Sequence, residues 1–210
     1  MTVQIVGRSS SHFTRVALIV ARELGVPYEL VVLQDVTDRN PADYGGNPAL
    51  KIPALRRGDG VLVGTENICR ALAELSDGTR KIIWPEQLKS DVSRNAQEFV
   101  WHAMAAQVQL VMGTMVAKLP ADNVFFAKVR AGFEGALGWL DANVSAALVA
   151  LPPNRDVSLF EVTLFCLLDH LVFRSTLPLD PYSALIRFRE SFARWPSAQQ
   201  TAYRFDAPAA

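Results

Sequence analysis

Three consecutive serines, Ser9, Ser10 and Ser11, stand just ahead of a stretch in which Phe13, Val16, Ala17, Val20 and Leu24 recur at helical spacing. Serine is a favoured N-cap, so such a hydroxyl can simply close the helix. At the positive end of a helix it can also donate to an anion held there, and both effects favour the charged form of that ligand. Arg15, four residues further on, could support that anion, but a solvated helix face is the expected reading. A second candidate is the Ile52–Pro53 pair. An X-Pro bond adopts cis at a cost of only about 0.5–1 kcal/mol. A cis bond would turn the Ile52 backbone outward, where its N–H and C=O can pair with an extended peptide as a strand would. The plainer use of Pro53 is to begin an edge strand. Other familiar chemistries do not emerge. His12, His102 and His170 lack metal-ligand spacing with acids or cysteines, and His102 has no identifiable base partner. Cys69 and Cys166 lie far apart in apolar helical patterns and read as small hydrophobes, not as a disulfide framework or zinc site.

These residues need elements to hold them. Thr2–Val6 reads as a short apolar strand, and the helix after Ser11 closes at Gly25. Tyr28–Leu33 is a second strand. Asp35–Gly46 is polar and irregular, with room for one helical stretch. Pro53–Arg56 and Val61–Val63 flank Arg57-Gly58-Asp59-Gly60, a hairpin signal, and a helix runs from Glu66 to Leu75. The order is βαβαββα, and the leading βαβ demands a parallel strand pair. Ser76–Pro85 reads as a linker with apolar anchors Ile82, Ile83 and Trp84. Beyond it the pattern is helical over 86–118 and 123–149. Ser158 and Glu161 form a capping box for a helix whose apolar face is too wide for a surface position, so that helix is expected in the core. A last helix, Tyr182–Trp195, ends at Pro196, and 205–210 read as frayed. Eight of the 12 glycines lie in residues 1–80, matching a turn-rich α/β front and a helical back.

Composition narrows the class. The chain has 210 residues, half of them hydrophobic, with 21 basic and 21 acidic side chains. A chain of that length builds a core without disulfides. Charge is also balanced within residues 1–80, nine against nine, which argues against a nucleic-acid arm. The start MTVQIVGRSS does not read as a signal peptide, and no run of 18 apolar residues reads as a membrane span. A reducing cytoplasm is the expected setting.

In this order the segments resemble the soluble glutathione S-transferase (GST) superfamily over nearly the whole chain, as a serine-type, bacterial-like member. The resemblance rests on Ser11-His-Phe-Thr through Gly25 and on Asn47-Pro-Ala-Leu-Lys-Ile-Pro-Ala-Leu55. It rests also on Gly64-Thr-Glu-Asn-Ile-Cys-Arg-Ala-Leu72, the box at Ser158 and the ending Arg194-Trp-Pro-Ser-Ala-Gln-Gln-Thr201. It implies an α/β plus all-α architecture: a thioredoxin-like domain over 1–76, a linker over 77–85, an α-helical bundle over 86–210, and a homodimer.

It also implies roles. Ser11 would donate to the sulfur of glutathione and hold it as thiolate. The Ile52 backbone, turned by a cis-Pro53, would grip the cysteinyl part. Lys51 would meet the glycyl carboxylate, the alternative being a solvated lysine with no ligand. At the start of the third helix the superfamily places an acid or Gln and then a Ser, which hold the γ-glutamyl group. Aligning Asn67 with that Ser would bury Arg70 and Glu74; aligning Glu66 with it buries Ile68, Cys69, Leu72 and Ala73 instead. Burying unpaired charges is far costlier, so Thr65 replaces the acid and Glu66 the Ser, with Thr65 capping the helix. Glu66 would then face the γ-glutamyl ammonium. Trp101, His102, Met104, Gln107, Met112 and Met115 are possible lining for a second substrate. The implied activity is conjugation of glutathione, as co-substrate, to small apolar electrophiles. The alternatives are a non-catalytic binding or regulatory protein of the same fold with weak or no glutathione binding, which the Thr65–Glu66 departure favours, and another glutathione-dependent reaction such as isomerisation or peroxide reduction.

Overall fold

The computed structural model of the chain describes residues 2–58 and 60–207. It divides into two compact units. Unit 1 joins Met1–Arg80 to Trp195–Ala210, and unit 2 is Lys81–Arg194. The described residues from Trp195 onward, expected with the helical domain over 86–210, instead belong to the same compact unit as the N-terminal sheet; 208–210 lie outside the described residues.

In unit 1, β1 (Val3–Gly7), β2 (Tyr28–Val32), β3 (Ala54–Arg57) and β4 (Gly60–Val63) form one mixed sheet in the order β2-β1-β3-β4. β1 runs parallel to β2 and antiparallel to β3, which in turn runs antiparallel to β4. The parallel pair needs a crossover, supplied by α1 (His12–Glu23). Val16, Ala17, Ile19, Val20 and Ala21 of α1 are wholly buried. α1 packs on α2 (Thr65–Leu75) and on α7 (Pro196–Gln200). Pro196 thus opens a short helix, as a proline at the first helical position favours. Arg57 pairs with Gly60 across the hairpin, whose Asp59 lies outside the described residues.

The helix allowed between β2 and β3 does not form, so the observed order is βαβββα. Side chains take its place. Asp35 Oδ1 accepts from the Thr37 amide at 2.8 Å, Asp38 from Asn40 at 2.7 Å, and Asn40 from Ala42 at 3.1 Å. Each is a local turn that competes with helical backbone bonding.

In unit 2, β5 (Ile82–Ile83) pairs in parallel with β6 (Val157–Ser158), so the apolar anchors of the linker are fixed here. A 3-10 turn, Pro85–Gln87, leads to α3 (Asp91–Leu110), which continues as a π-helical turn over Val111–Val116. α4 (Val124–Val149), α5 (Leu159–Arg174) and α6 (Ser183–Phe192) complete the unit. α5 is the central helix, buried at Leu159, Phe160, Val162, Leu164, Phe165, Leu167 and Leu168. Phe165 stacks on Phe192 of α6 with ring centroids 4.7 Å apart. The continuous helix Asp91–Val116 is long and apolar enough, with a window of mean hydropathy 1.2, to meet a membrane-span measure that the raw apolar runs do not. It packs on α4 and α5, and its buried Gln97 donates to Thr163 of α5 at 3.2 Å, the behaviour of a bundle core helix.

Candidate functional site

Sheet register gathers the candidate residues. Val6 pairs with Ala54, and Ala54 pairs with Val63. The chain that follows β1, the chain that precedes β3 and the chain that follows β4 therefore emerge at one end of the sheet. Those are the segments of Ser11, of Lys51, Ile52 and Pro53, and of Thr65 and Glu66.

After β1 the backbone turns at Arg8–Ser11, closed by the Ser11 amide donating to the Arg8 carbonyl at 3.1 Å. α1 then starts close to the strand: a Cβ on Gly7 would lie 2.5 Å from Thr14 Cγ2, so only glycine admits this approach. Ser11 is the N-cap, its Oγ accepting from the Thr14 amide at 3.2 Å. Accepting uses a lone pair only. Among the described residues the Ser11 O–H has no acceptor of its own. Ser9 and Ser10 are buried, while Ser11 is half-exposed. Ser9 Oγ is buried with no hydrogen-bond partner among the described residues.

Ahead of β3 the Ile52–Pro53 peptide is cis. Buried Asn47 organises this approach: its Nδ2 donates to the Lys51 carbonyl at 2.7 Å and its Oδ1 accepts from the Ala49 amide at 3.0 Å. Leu50 takes a left-handed φ of 53° inside that loop. Lys51 is exposed and Pro53 buried. Among the described residues, neither the amide nor the carbonyl of Ile52 enters a backbone hydrogen bond.

The α2 start corrects the sequence expectation. Thr65 does not cap the helix. The N-cap is Gly64 at φ 89°, a conformation that strains any L side chain, so the helix begins with no side-chain cap. Its first internal bond runs from the Ile68 amide to the Gly64 carbonyl at 3.0 Å. The amides of Thr65, Glu66 and Asn67 thus make no bond within the helix, as at any helix start. Ile68, Cys69, Ala71 and Leu72 are buried, Ala73 half-buried and Glu74 exposed. Arg70, half-buried, and Glu74 therefore stay off the buried face of the helix. Glu66 faces its own helix: Arg70 Nε and Nη2 reach its Oε1 at 3.0 and 2.7 Å.

Arg15 reverses another expectation. It is 2% exposed, not solvated. Nη2 donates to the Ala198 carbonyl at 3.0 Å, Nε to Thr201 Oγ1 at 3.4 Å, and the guanidinium lies 4.1 Å over the Tyr203 ring. Asp206, in a segment read as frayed, accepts from the Ser9 amide at 2.9 Å through Oδ2. No signal near Arg15 or Asp206 in the sequence marks these contacts, whereas Asn47-Pro carries a turn signal from which a loop clamp could have been read. The six possible lining residues of α3 and its extension do not share a face: Met104 and Gln107 are buried in unit 2, while His102 and Met115 are exposed.

Residues 6–80 match the family described as Glutathione S-transferase, N-terminal domain. No curated protein matches the chain in sequence. Among solved structures, a glutathione transferase family member from Pseudomonas fluorescens Pf-5 with bound glutathione is 20% identical. It covers 97% of this chain and 100% of its own, with a TM-score of 0.77. A glutathione S-transferase from Methylobacillus flagellatus with glutathione bound is 21% identical, at the same coverages and a TM-score of 0.75. One from Methylobacterium radiotolerans, in complex with glutathione sulfonate, is 18% identical, covering 100% of this chain and 99% of its own, with a TM-score of 0.73. At these identities the likeness is one of fold.

Proposed function

We infer, from the match of residues 6–80 to the glutathione S-transferase N-terminal domain family and the likeness of the fold to glutathione-bound structures, that the sheet end of unit 1 binds glutathione. We propose further that the protein conjugates the glutathione thiolate to small apolar electrophiles. The supporting observation is the Val6–Ala54–Val63 register, by which the segments of Ser11, of Ile52 and of the α2 start leave the same end of the sheet.

Each position offers what one part of the tripeptide needs. The Ser11 O–H donates to the sulfur, beside the positive end of α1. A hydrogen bond to a charged group contributes about 1.5–3 kcal/mol. That bond favours thiolate over thiol and so lowers the pKa of the sulfur. The thiolate is the nucleophile: its lone pair forms the carbon–sulfur bond while the electrophile's leaving group departs with its electrons. The open N–H and C=O of Ile52 pair with the cysteinyl backbone. The Lys51 ammonium meets the glycyl carboxylate. The amides at the uncapped start of α2, at Thr65 and Glu66, hold the γ-glutamyl carboxylate, with Glu66 toward the ammonium. Arg70 offsets the Glu66 charge, so the ligand carboxylate does not meet a bare anion.

We place the protein as a homodimer in a reducing cytoplasm; Cys69 and Cys166, both buried, form no disulfide with each other, in keeping with such a compartment. A second reading, a non-catalytic binding member, draws on the same Glu66–Arg70 pair, which can hold Glu66 away from an ammonium. Isothermal titration with millimolar glutathione tests binding, and an absence of heat would sink it. Thiolate absorbance of bound glutathione tests the chemistry. A sulfur pKa unchanged in Ser11→Ala removes Ser11 from the role. Binding with no turnover of chlorodinitrobenzene, an isothiocyanate or cumene hydroperoxide favours the second reading.

A further inference from the structure

We propose that residues 195–206 form a strap that positions the turn bearing Ser11, with Asp206 as its positioning residue; the consequence for the sulfur rests on the glutathione reading above. The strap holds the chain on both sides of Ser11. Two residues before it, the Ser9 amide donates to Asp206 Oδ2 at 2.9 Å, across 197 residues of sequence. Ser9 is the second residue of the turn closed between the Ser11 amide and the Arg8 carbonyl, so its own amide has no acceptor inside that turn. Ser9 is only 6% exposed, so water is a poor substitute and the carboxylate fills the vacancy.

Four residues after Ser11, the Arg15 amide donates to the Ser11 carbonyl at 2.9 Å. The Arg15 side chain holds the Ala198 carbonyl, Thr201 Oγ1 and the Tyr203 ring. Thr201 is itself fixed by donating to the Ser197 carbonyl at 2.8 Å. The Ser11 hydroxyl therefore hangs from a stretch of backbone anchored at each end to the same segment. A donor that must meet a sulfur loses much of its effect when displaced by about an ångström. Asp206 does not touch the ligand; it sets where the Ser11 donor stands.

The test uses the full chain as Asp206→Ala and Asp206→Asn. The Asn Oδ1 still accepts from the Ser9 amide, so the second variant keeps the bond and removes the charge. Amide hydrogen exchange at Ser9 and Ser11 reads the strap directly, and thiolate absorbance with the kcat and KM split reads its consequence. The expected result for Asp206→Ala is exchange at Ser9 faster by at least about tenfold, a raised sulfur pKa, and kcat lower by about tenfold with KM within about threefold. Asp206→Asn restores wild-type exchange and pKa. Wild-type exchange at Ser9 in Asp206→Ala overturns the strap, and so does an unmoved sulfur pKa. A wild-type protein that binds no thiolate refutes the glutathione reading instead, and exchange at Ser9 and Ser11 then decides the strap alone.

Discussion

Ser11 and Ser158 are the same residue in the same local role, and they are used differently. Each is an N-cap whose hydroxyl accepts an amide three residues on, at 3.2 Å for Ser11 and 3.1 Å for Ser158. At Ser158 the hydroxyl proton is also committed, to Glu161 Oε2 at 2.7 Å, and the same oxygen accepts from the Ser158 amide at 2.8 Å. Arg155 closes the set with bonds of 3.0 Å to both oxygens of Glu161. At Ser11 the third residue on is Thr14, which has no carboxylate to offer, and the hydroxyl is half-exposed. One cap is saturated and buried; the other retains an uncommitted donor on a half-exposed residue. A cap that lacks the residue to complete it keeps a donor in reserve, which the glutathione proposal uses. The α2 start extends the contrast, since Gly64 offers no side chain at all.

Identical substitutions should therefore have opposite effects. The largest is expected from Ser11→Ala: kcat/KM for chlorodinitrobenzene falls by about a hundredfold, the scale of losing one donor to a developing anion, while stability falls by at most about 1 kcal/mol. Steady-state kinetics beside a denaturant melt measures both, and intact turnover would break the comparison. Ser158→Ala is expected to cost about 2 kcal/mol, at the upper end for a cap because Glu161 loses two bonds with it. Calorimetry should show a melting temperature about 4–8 °C lower, with turnover per folded molecule unchanged.

Glu66→Gln comes third. It is expected to weaken glutathione binding by about three- to tenfold, or roughly 1 kcal/mol, by removing the partner of the ammonium. Titration calorimetry at two salt concentrations checks this, and unaltered affinity would assign Glu66 to Arg70 alone. The smallest effect concerns Asp35, a cap with no helix behind it. Its pKa is held below the usual carboxylate value, first by the Thr37 amide and then by the Thr37 hydroxyl. A depressed folded value means its contribution is complete above about pH 5 and fades as pH falls through that value. The stability gap between wild type and Asp35→Ala should thus narrow between pH 6 and pH 3, and a widening gap would contradict the sign.

What could be read from the sequence was what neighbours in sequence decide. The Ser158–Glu161 box, the α1 periodicity and the breadth of the α5 apolar face are all written within one or two turns of chain. The residues lost to view were those decided by distant partners. Arg15 looks like a surface charge until Ala198, Thr201 and Tyr203 arrive over it. The stretch after β2 looked able to form a helix because its side-chain bonds at Asp35, Asp38 and Asn40 are specific to one backbone path. The cap of α2 lies at Gly64, one residue ahead of the expected Thr65, because a glycine at positive φ leaves only a weak trace in sequence.

The assembly of unit 1 from two separated stretches sets an order of events during synthesis. Residues 195–206 leave the ribosome only after the whole of Lys81–Arg194 has been made. At about 5–20 residues per second that interval is on the order of ten seconds. Through it the sheet can pair and α1 can dock, but Arg15 still lies in water and the Ser9 amide has no carboxylate to meet. The turn that carries Ser11 is thus among the last parts of the molecule to be set, well after the sheet beneath it.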